Sequence, residues 1–342
     1  MGEPGHDPQA VSTYPLDTYR RVMTDSWTAD RMPDCSDRTV VVTGANSGLG
    51  FETATAFAEK GATVVMACRS LDRGRAAAVE IRNDIEPTGA TLDVRQCDLA
   101  SLDSVASFAD GVHGAYDGVD VLCNNAGVMA IPREETADGF ERQLGVNHLG
   151  HFALTGHLLD VLVGSSGESR VVTHSSGAHT AGDLDLDDLH REESYGRWEA
   201  YGQSKLANLL FAYELQRRLE AAGITDTKSV ACHPGYAATN LQYRGPEQSG
   251  SRVRYALMKV ANTLVAQSAE QGALPMLYAA TAADVGGGDY YGPGGLLSMR
   301  GSPERQESSA ASRDPADARR LWERSESLTG VEYDVGLAQP TT

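Results

Sequence analysis

The stretch RTVVVTGANSGLG at residues 38–50 constrains the fold more than any other part of this chain. Three valines in a row do not alternate between core and solvent. The run therefore reads as a strand buried on both faces, as in a parallel sheet. It passes straight into Gly44, Gly48 and Gly50, and then into an Ala-rich helical stretch, 51–60, that Gly61 stops.

The same unit recurs along the chain. Residues 62–69, 91–99, 119–127, 169–175 and 228–233 read as strands, and 71–86, 101–115, 137–163 and 198–222 as helices between them. Pro87 ends the second helix, and Ser101 is placed to cap the third. Short joins between alternating strands and helices call for right-handed parallel crossovers. The fold class is thus α/β: a doubly wound parallel sheet of Rossmann type, one domain. GGDYYGPGG adds a last short strand, making seven in the order 3-2-1-4-5-6-7.

Residues 1–37 form an N-terminal arm with one short helix near 14–27, and the domain runs from 38 to 300. Within it, 178–197 is a Gly- and Asp-rich insert loop, and 240–266 is an excursion on the substrate side. Its apolar stripe at 253–266 either packs on the core or closes over an apolar substrate. Helical signal resumes at 269–283. The tail, 301–342, reads as flexible over 301–313. A helix then follows at 314–328, capped by Asp314 with Pro315 in its first position.

The formal charge of −18 argues against nucleic acid and against an anionic membrane surface. Only four of the 29 basic residues are lysine (Lys60, Lys205, Lys228, Lys259). Such a surface suits a salt-rich, halophilic cytoplasm, where screening relieves self-repulsion. An ordinary acidic protein biased towards Arg and Ala codons is the alternative. The five cysteines are odd in number and form no C-x-x-C pair, so they read as buried thiols in a reducing cytosol. The start MGEPGHDPQA has no basic and apolar regions of a signal peptide, and no apolar stretch is long enough for a membrane span. A soluble cytoplasmic protein is expected. His148, His151 and His157, and the acidic run 183–188, lack the partners of a metal site. No metal is expected, and His233 reads as a packing residue at a strand end.

A glycine loop between the first strand and first helix lets backbone N–H groups approach a pyrophosphate at the positive end of the helix. Gly44, Asn46, Ser47, Gly48, Leu49 and Gly50 are its candidate dinucleotide contacts. The second strand ends in Ala67-Cys68-Arg69-Ser70, with no carboxylate before Asp72 to hold a ribose 2′-hydroxyl. Arg69 suits a 2′-phosphate, which favours NADP(H) over NAD(H) unless Arg69 is merely solvated. Three further segments matter: Asn124-Asn125-Ala126-Gly127, Thr173-His174-Ser175-Ser176-Gly177, and Tyr201-Gly202-Gln203-Ser204-Lys205. The first two end strands. In the third, the i, i+4 spacing puts phenol and ammonium on one helix face.

Together, T-G-x-x-x-G-x-G, N-N-A-G, a strand-end serine and Y-x-x-x-K resemble the short-chain dehydrogenase/reductase family, over about residues 38–300. The flanking text (SKLANLLFAYEL, ACHPGYAATNL, SAEQGALPMLYAAT) is most similar to the retinol-dehydrogenase-like and WW-domain-oxidoreductase-like branch.

The resemblance implies an NADP-dependent oxidoreductase that interconverts an alcohol and a carbonyl on a lipophilic substrate of small to medium size. It implies Tyr201 as general acid/base, its pKa drawn down by Lys205 and an oxidised nicotinamide, with Lys205 also holding the ribose. Ser176, rather than Ser175, would hydrogen-bond the substrate oxygen, and Asn147 would hold a water next to Lys205. Asp98 and Leu99 would meet the adenine, Asn125, Ala126 and Gly127 the ribose, and Pro234, Gly235 and Thr239 the carboxamide.

The stretch from Ser176 to Tyr201 is longer than in the shortest members because of the Asp-rich loop. A homodimer is left open, and no tetramer is carried over. Two rivals remain. A nucleotide-sugar epimerase or dehydratase would normally carry T-G-x-x-G-x-x-G. A redox-sensing module without turnover would usually have lost the Tyr or the Lys.

Overall fold

The computed structural model describes residues 26–235, 268–295 and 298–333. Residues 14–25 of the helix expected in the arm, the 240–266 excursion and Thr239 lie outside them.

The valine run forms β1 (Thr39–Thr43), and its neighbours divide by parity. Val40 and Val42 join one core with Val64, Met66 and Cys68, whereas Val41 joins the opposite core with Val65 and Ala67. Both faces of the sheet are therefore dry, which is why no polar residue interrupts the run. Glycine-led α1 (Gly48–Glu59), β2 (Thr63–Cys68), α2 (Leu71–Asp84), β3 (Thr91–Gln96), α3 (Leu102–His113) and β4 (Val121–Asn124) follow. Ser101 accepts the Ser104 N–H at the start of α3, as expected of its cap.

A single helix over 137–163 does not form. Glu141 caps the start by accepting Gln143 N–H and Leu144 N–H, so the helix begins one turn later. An α turn Arg142–Leu144, a π turn Gly145–Leu149 and an α segment Gly150–His157 make up α4, and a break at Leu158 separates α5 (Leu159–Val163). A π turn of this kind widens the helix by one residue and re-aims the side chains it carries, here Asn147. Then come β5 (Ser169–His174), the 25-residue α6 (Arg197–Ala221), β6 (Thr227–Cys232), α7 (Ala269–Thr281) and β7 (Tyr290–Pro293).

The sheet order is β3-β2-β1-β4-β5-β6-β7-β8. The first seven strands stand in the expected order and are parallel; the eighth is an addition. β8 (Pro303–Arg305) pairs antiparallel with β7 inside the segment that reads as flexible. Tertiary partners explain the difference. The Gln306 amide donates to Pro293 O and its carbonyl takes the His233 ring N–H, while Arg305 pairs with Asp289 at 2.6 Å. The tail then forms α8 (Pro315–Thr329), with Asp314 accepting from Ala316 N–H and Asp317 N–H. Its Trp322 is buried among Phe152, Phe211 and Tyr333. No helix among the described residues is long and apolar enough to cross a membrane.

The strand order reverses between β1 and β4. In open α/β sheets, ligands bind outside the carboxyl ends at such a switch point.

Candidate active site

An open cleft lies at that switch point. The loop after β1 forms its floor. Gly48 holds φ +56°, which a side chain would strain. A Cβ on Gly50 would collide with Gly44 O and lie 2.5 Å from Asn125 Nδ2, so this glycine lets α1 press against the strand ends. Ser47 makes no side-chain cap and the first turn of α1 has no acidic residue. Its N–H groups and positive dipole end thus remain for an anion, which fits a pyrophosphate.

Gly44, Asn46, Ser47, Gly48, Leu49, Gly50, Arg69, Asp98, Leu99, Asn125, Ala126 and Gly127 all line this cleft. Arg73 joins Arg69 there, one turn into α2, and doubles the positive charge beside the end of β2. No carboxylate stands at that strand end to compete for it.

The cleft's inner end is held by Thr43, which sequence reasoning passed over. Its hydroxyl accepts Asn125 N–H (2.9 Å) and Ala126 N–H (3.0 Å) and meets His151 Nε2 at 2.9 Å. His151 Nδ1 lies 3.0 Å from Asn147 O, an acceptor only, so Nδ1 carries the proton and Nε2 takes the Thr43 hydroxyl hydrogen. One side chain thereby ties the glycine loop to the π turn. Burial depresses the His151 pKa to about 4 and that of His174 to about 3, with Lys205 pushing both further down. Both rings stay neutral in ordinary buffers.

Behind Gly127 the candidate catalytic side chains converge. Asn147 Oδ1 accepts Val128 N–H at 2.8 Å, and its amide donates to Val128 O and Ser204 Oγ at 2.9 Å each. Lys205 Nζ donates to His174 O at 3.1 Å and would stand 3.6 Å from a Cβ on Gly127. It lies 5.9 Å from the centre of the Tyr201 ring. The two serines have different duties. Ser175 Oγ is spent on Lys205 O at 2.7 Å, whereas Ser176 Oγ accepts Ala178 N–H at 3.2 Å and lies close enough to the Tyr201 phenol to favour its ionised form. His179 Nδ1 meets Ser176 O at 2.7 Å, and its Nε2 takes Ser309 N–H, which anchors the serine loop to the tail.

The electrostatics differ from expectation in one respect. Burial raises the Tyr201 pKa, with Ser176 opposing, so the phenol is not drawn down in the protein alone. Lys205 is shifted as well. Its own burial lowers the ammonium to about 8, and its Nζ is engaged with a carbonyl. The positive charge of an oxidised nicotinamide is absent from that balance.

Pro234 and Gly235 sit just past β6, where Gly235 N–H donates to His233 Nδ1; like Asn147, Ser176, Tyr201 and Lys205, they do not line this cleft. His233 is a buried strand-end residue between Gln306 and Tyr290. Beyond Arg73 and Thr43, the cleft adds Ala67, Cys97, Val128, Arg142 and Val146. Ser204, next to Lys205 in sequence, could have been noticed from that adjacency.

A glycine-looped cleft at a sheet switch point, with tyrosine and lysine one helical turn apart behind it, defines a dinucleotide-dependent oxidoreductase of the doubly wound class. Comparison with known proteins narrows the class. The family model described as short chain dehydrogenase matches residues 38–249. Human retinol dehydrogenase 13 is 42% identical over 307 residues, covering 89% of this chain and 88% of that protein. Mouse polyprenol dehydrogenase is 41% identical over 303 residues, covering 88% and 86%. A crystal structure of an uncharacterized protein from Mycobacterium paratuberculosis superposes with TM-score 0.74 at 43% identity, covering 90% of this chain and 99% of that one. The chain belongs to the short-chain dehydrogenase family, and its relatives place it in the retinol-dehydrogenase-like branch.

Proposed function

We propose that the protein is an NADP-dependent reductase or dehydrogenase that interconverts a lipophilic alcohol and its carbonyl, with Tyr201 as the general acid/base. The observation that carries the reading is the cluster of buried Tyr201, Lys205 and Asn147 with half-buried Ser176, set behind Gly127 of an arginine-flanked cleft. Arg69 and Arg73 support a 2′-phosphate, since guanidinium forks match phosphate geometry. A structure described as an NAD(P)-dependent gluconate 5-dehydrogenase from Beutenbergia cavernae, 27% identical with TM-score 0.55, has NADP bound at low occupancy. Relatives named for retinol and polyprenol, both long apolar alcohols, support the lipophilic substrate.

Bound in the cleft, the nicotinamide would supply or accept the hydride. In reduction, the Tyr201 hydroxyl gives its proton to the carbonyl oxygen as negative charge develops there. Ser176 donates a hydrogen bond to the same oxygen, a preorganised stabiliser of that charge. Lys205 holds positive charge near the phenolate left behind, and Asn147 keeps the Val128 loop against α6. Oxidation runs the same proton in reverse, from alcohol to phenolate.

The test follows NADPH absorbance with apolar aldehydes, using wild type and Tyr201→Phe. Turnover lost in the variant, with NADPH still bound, is the expected outcome; equal turnover would remove the mechanism. An epimerase would interconvert a nucleotide sugar with no net NADPH change, and a sensor would bind NADPH without turnover.

A further inference from the structure

Two large apolar side chains are exposed among the described residues: Val79 on α2, at 54%, and Trp198, at 62%. Trp198 occupies the first turn of α6, three residues before Tyr201, and i, i+3 residues share a helix face. The two rings meet edge to face, with centroids 6.1 Å apart and planes at 81°. An indole of this size is normally a large contributor to burial, so leaving it in water beside the reactive phenol calls for an explanation.

A loose helix end does not supply one. The backbone just before Trp198 is pinned by a buried polar network. The Gln143 amide donates to Arg197 O at 2.9 Å and to the Tyr195 hydroxyl at 2.8 Å, while Gln143 Oε1 takes Ala130 N–H at 2.7 Å. Ala130 is held at φ +50°, an uncommon conformation for alanine. The buried Glu141 carboxylate accepts from Gln143 N–H and Leu144 N–H and lies 3.1 Å from the Tyr195 hydroxyl. Gln143 is thus a second clamp one turn before Asn147, and both join the 128–131 loop to α6. The exposed ring sits on a rigid mount.

From this geometry we infer that Trp198 is the platform that receives the apolar body of the substrate and so sets its specificity. The inference rests on the reading of Tyr201 as general acid/base. A substrate whose oxygen reaches Tyr201 and Ser176 must project its remaining atoms from that point, and among the described residues the exposed large apolar side chain beside it is the Trp198 indole. An extended or flat apolar chain would cover it and be favoured by the area removed from water. A short or hydroxylated carbonyl compound would gain little.

The experiment compares decanal with propanal in wild type, Trp198→Ala and Trp198→Phe, with NADPH. The alanine variant should lose at least about tenfold in kcat/KM for decanal, mainly through KM, and stay within about twofold for propanal. The phenylalanine variant should recover most of the decanal loss. Equal losses for both aldehydes, or none, would overturn the assignment; propanal turnover doubles as the check that the variant folds.

A second arm needs no turnover. Of the three tryptophans, Trp322 is buried and Trp27 half-buried, so Trp198 dominates quenching of indole fluorescence by acrylamide. With NADP+, decanal should protect that fluorescence and propanal should not, and Trp198→Phe should show no protection. If the wild type reduced neither aldehyde, the proposed function would fall while this arm still decided the platform. Protection by decanal would support it, and unchanged quenching would overturn it.

Discussion

At the glycine-looped cleft the groups open to a ligand stand in water: the first-turn N–H groups of α1 and the exposed Arg69 and Arg73. A few ångströms beyond Gly127, the polar groups are buried: Asn147, Ser175, His151, His174 and Lys205. The contrast follows from what each region must do. A charged ligand that comes and goes is held by groups whose desolvation is small. A proton transfer needs groups already aimed, in a site where their fields are not screened. The second region therefore carries the structural cost, visible in a lysine depressed to about 8 and in neutral buried histidines.

The largest expected effect breaks the reaction centre and spares the cleft. Tyr201→Phe should lower kcat by roughly 10²–10⁴ while NADPH affinity, read by fluorescence, stays within a factor of about two. A parallel fall in NADPH affinity would mean that the two regions are not separable.

The serine pair sharpens the same point. Ser176→Ala should lower kcat by roughly 10²–10³, and losing its cap on Ala178 N–H should cost about 0.5–2 kcal/mol of stability. Ser175→Ala removes a buried bond to Lys205 O and should instead destabilise by about 1–3 kcal/mol in denaturant melts. Reversed outcomes would exchange their roles.

On the cleft side, Arg69→Ala combined with Arg73→Ala should lower kcat/KM for NADPH by roughly 10–100-fold, as expected for lost contacts to a charged group. NADH should be little affected. Steady-state kinetics with both cofactors measures this, and equal losses would remove the 2′-phosphate reading.

The smallest effect is on stability. His151 and His174 have folded pKa values below the unfolded value of about 6.5, so the unfolded chain binds more protons under acid. Their contribution is present above pH 6.5 and is lost as pH falls towards about 4. Each should add about 1.4 kcal/mol per pH unit to the slope of unfolding free energy in that window. His151→Gln should remove one such increment, and an unchanged slope would place that ring in water.

Much of the cofactor region was legible because it is local. A valine run, a glycine loop and a helix are contiguous in RTVVVTGANSGLG, and the cleft assembles from strand ends that alternation alone predicts. The candidate catalytic residues are named by motif, but the contacts that hold them are not. His151 reads as one of three scattered histidines until the fold sets it between Thr43 and Asn147. Gln143 has no motif; its role arises from meeting Arg197 and Ala130 across the fold. The break in α4 was missed because 137–163 is apolar enough for one helix, and the Glu141 cap and the π turn appear only in the folded backbone.

Sequence alone determined the parallel sheet, its strand order and the pairing of Tyr201 with Lys205, since periodicity and i, i+4 spacing act within one segment. Tertiary structure alone decided the antiparallel eighth strand, the division of labour between Ser175 and Ser176, and the protonation of Tyr201, Lys205 and His151. These depend on burial and on partners far away along the chain, and a residue's pKa or hydrogen-bond partner is set by the packed surroundings it ends up in.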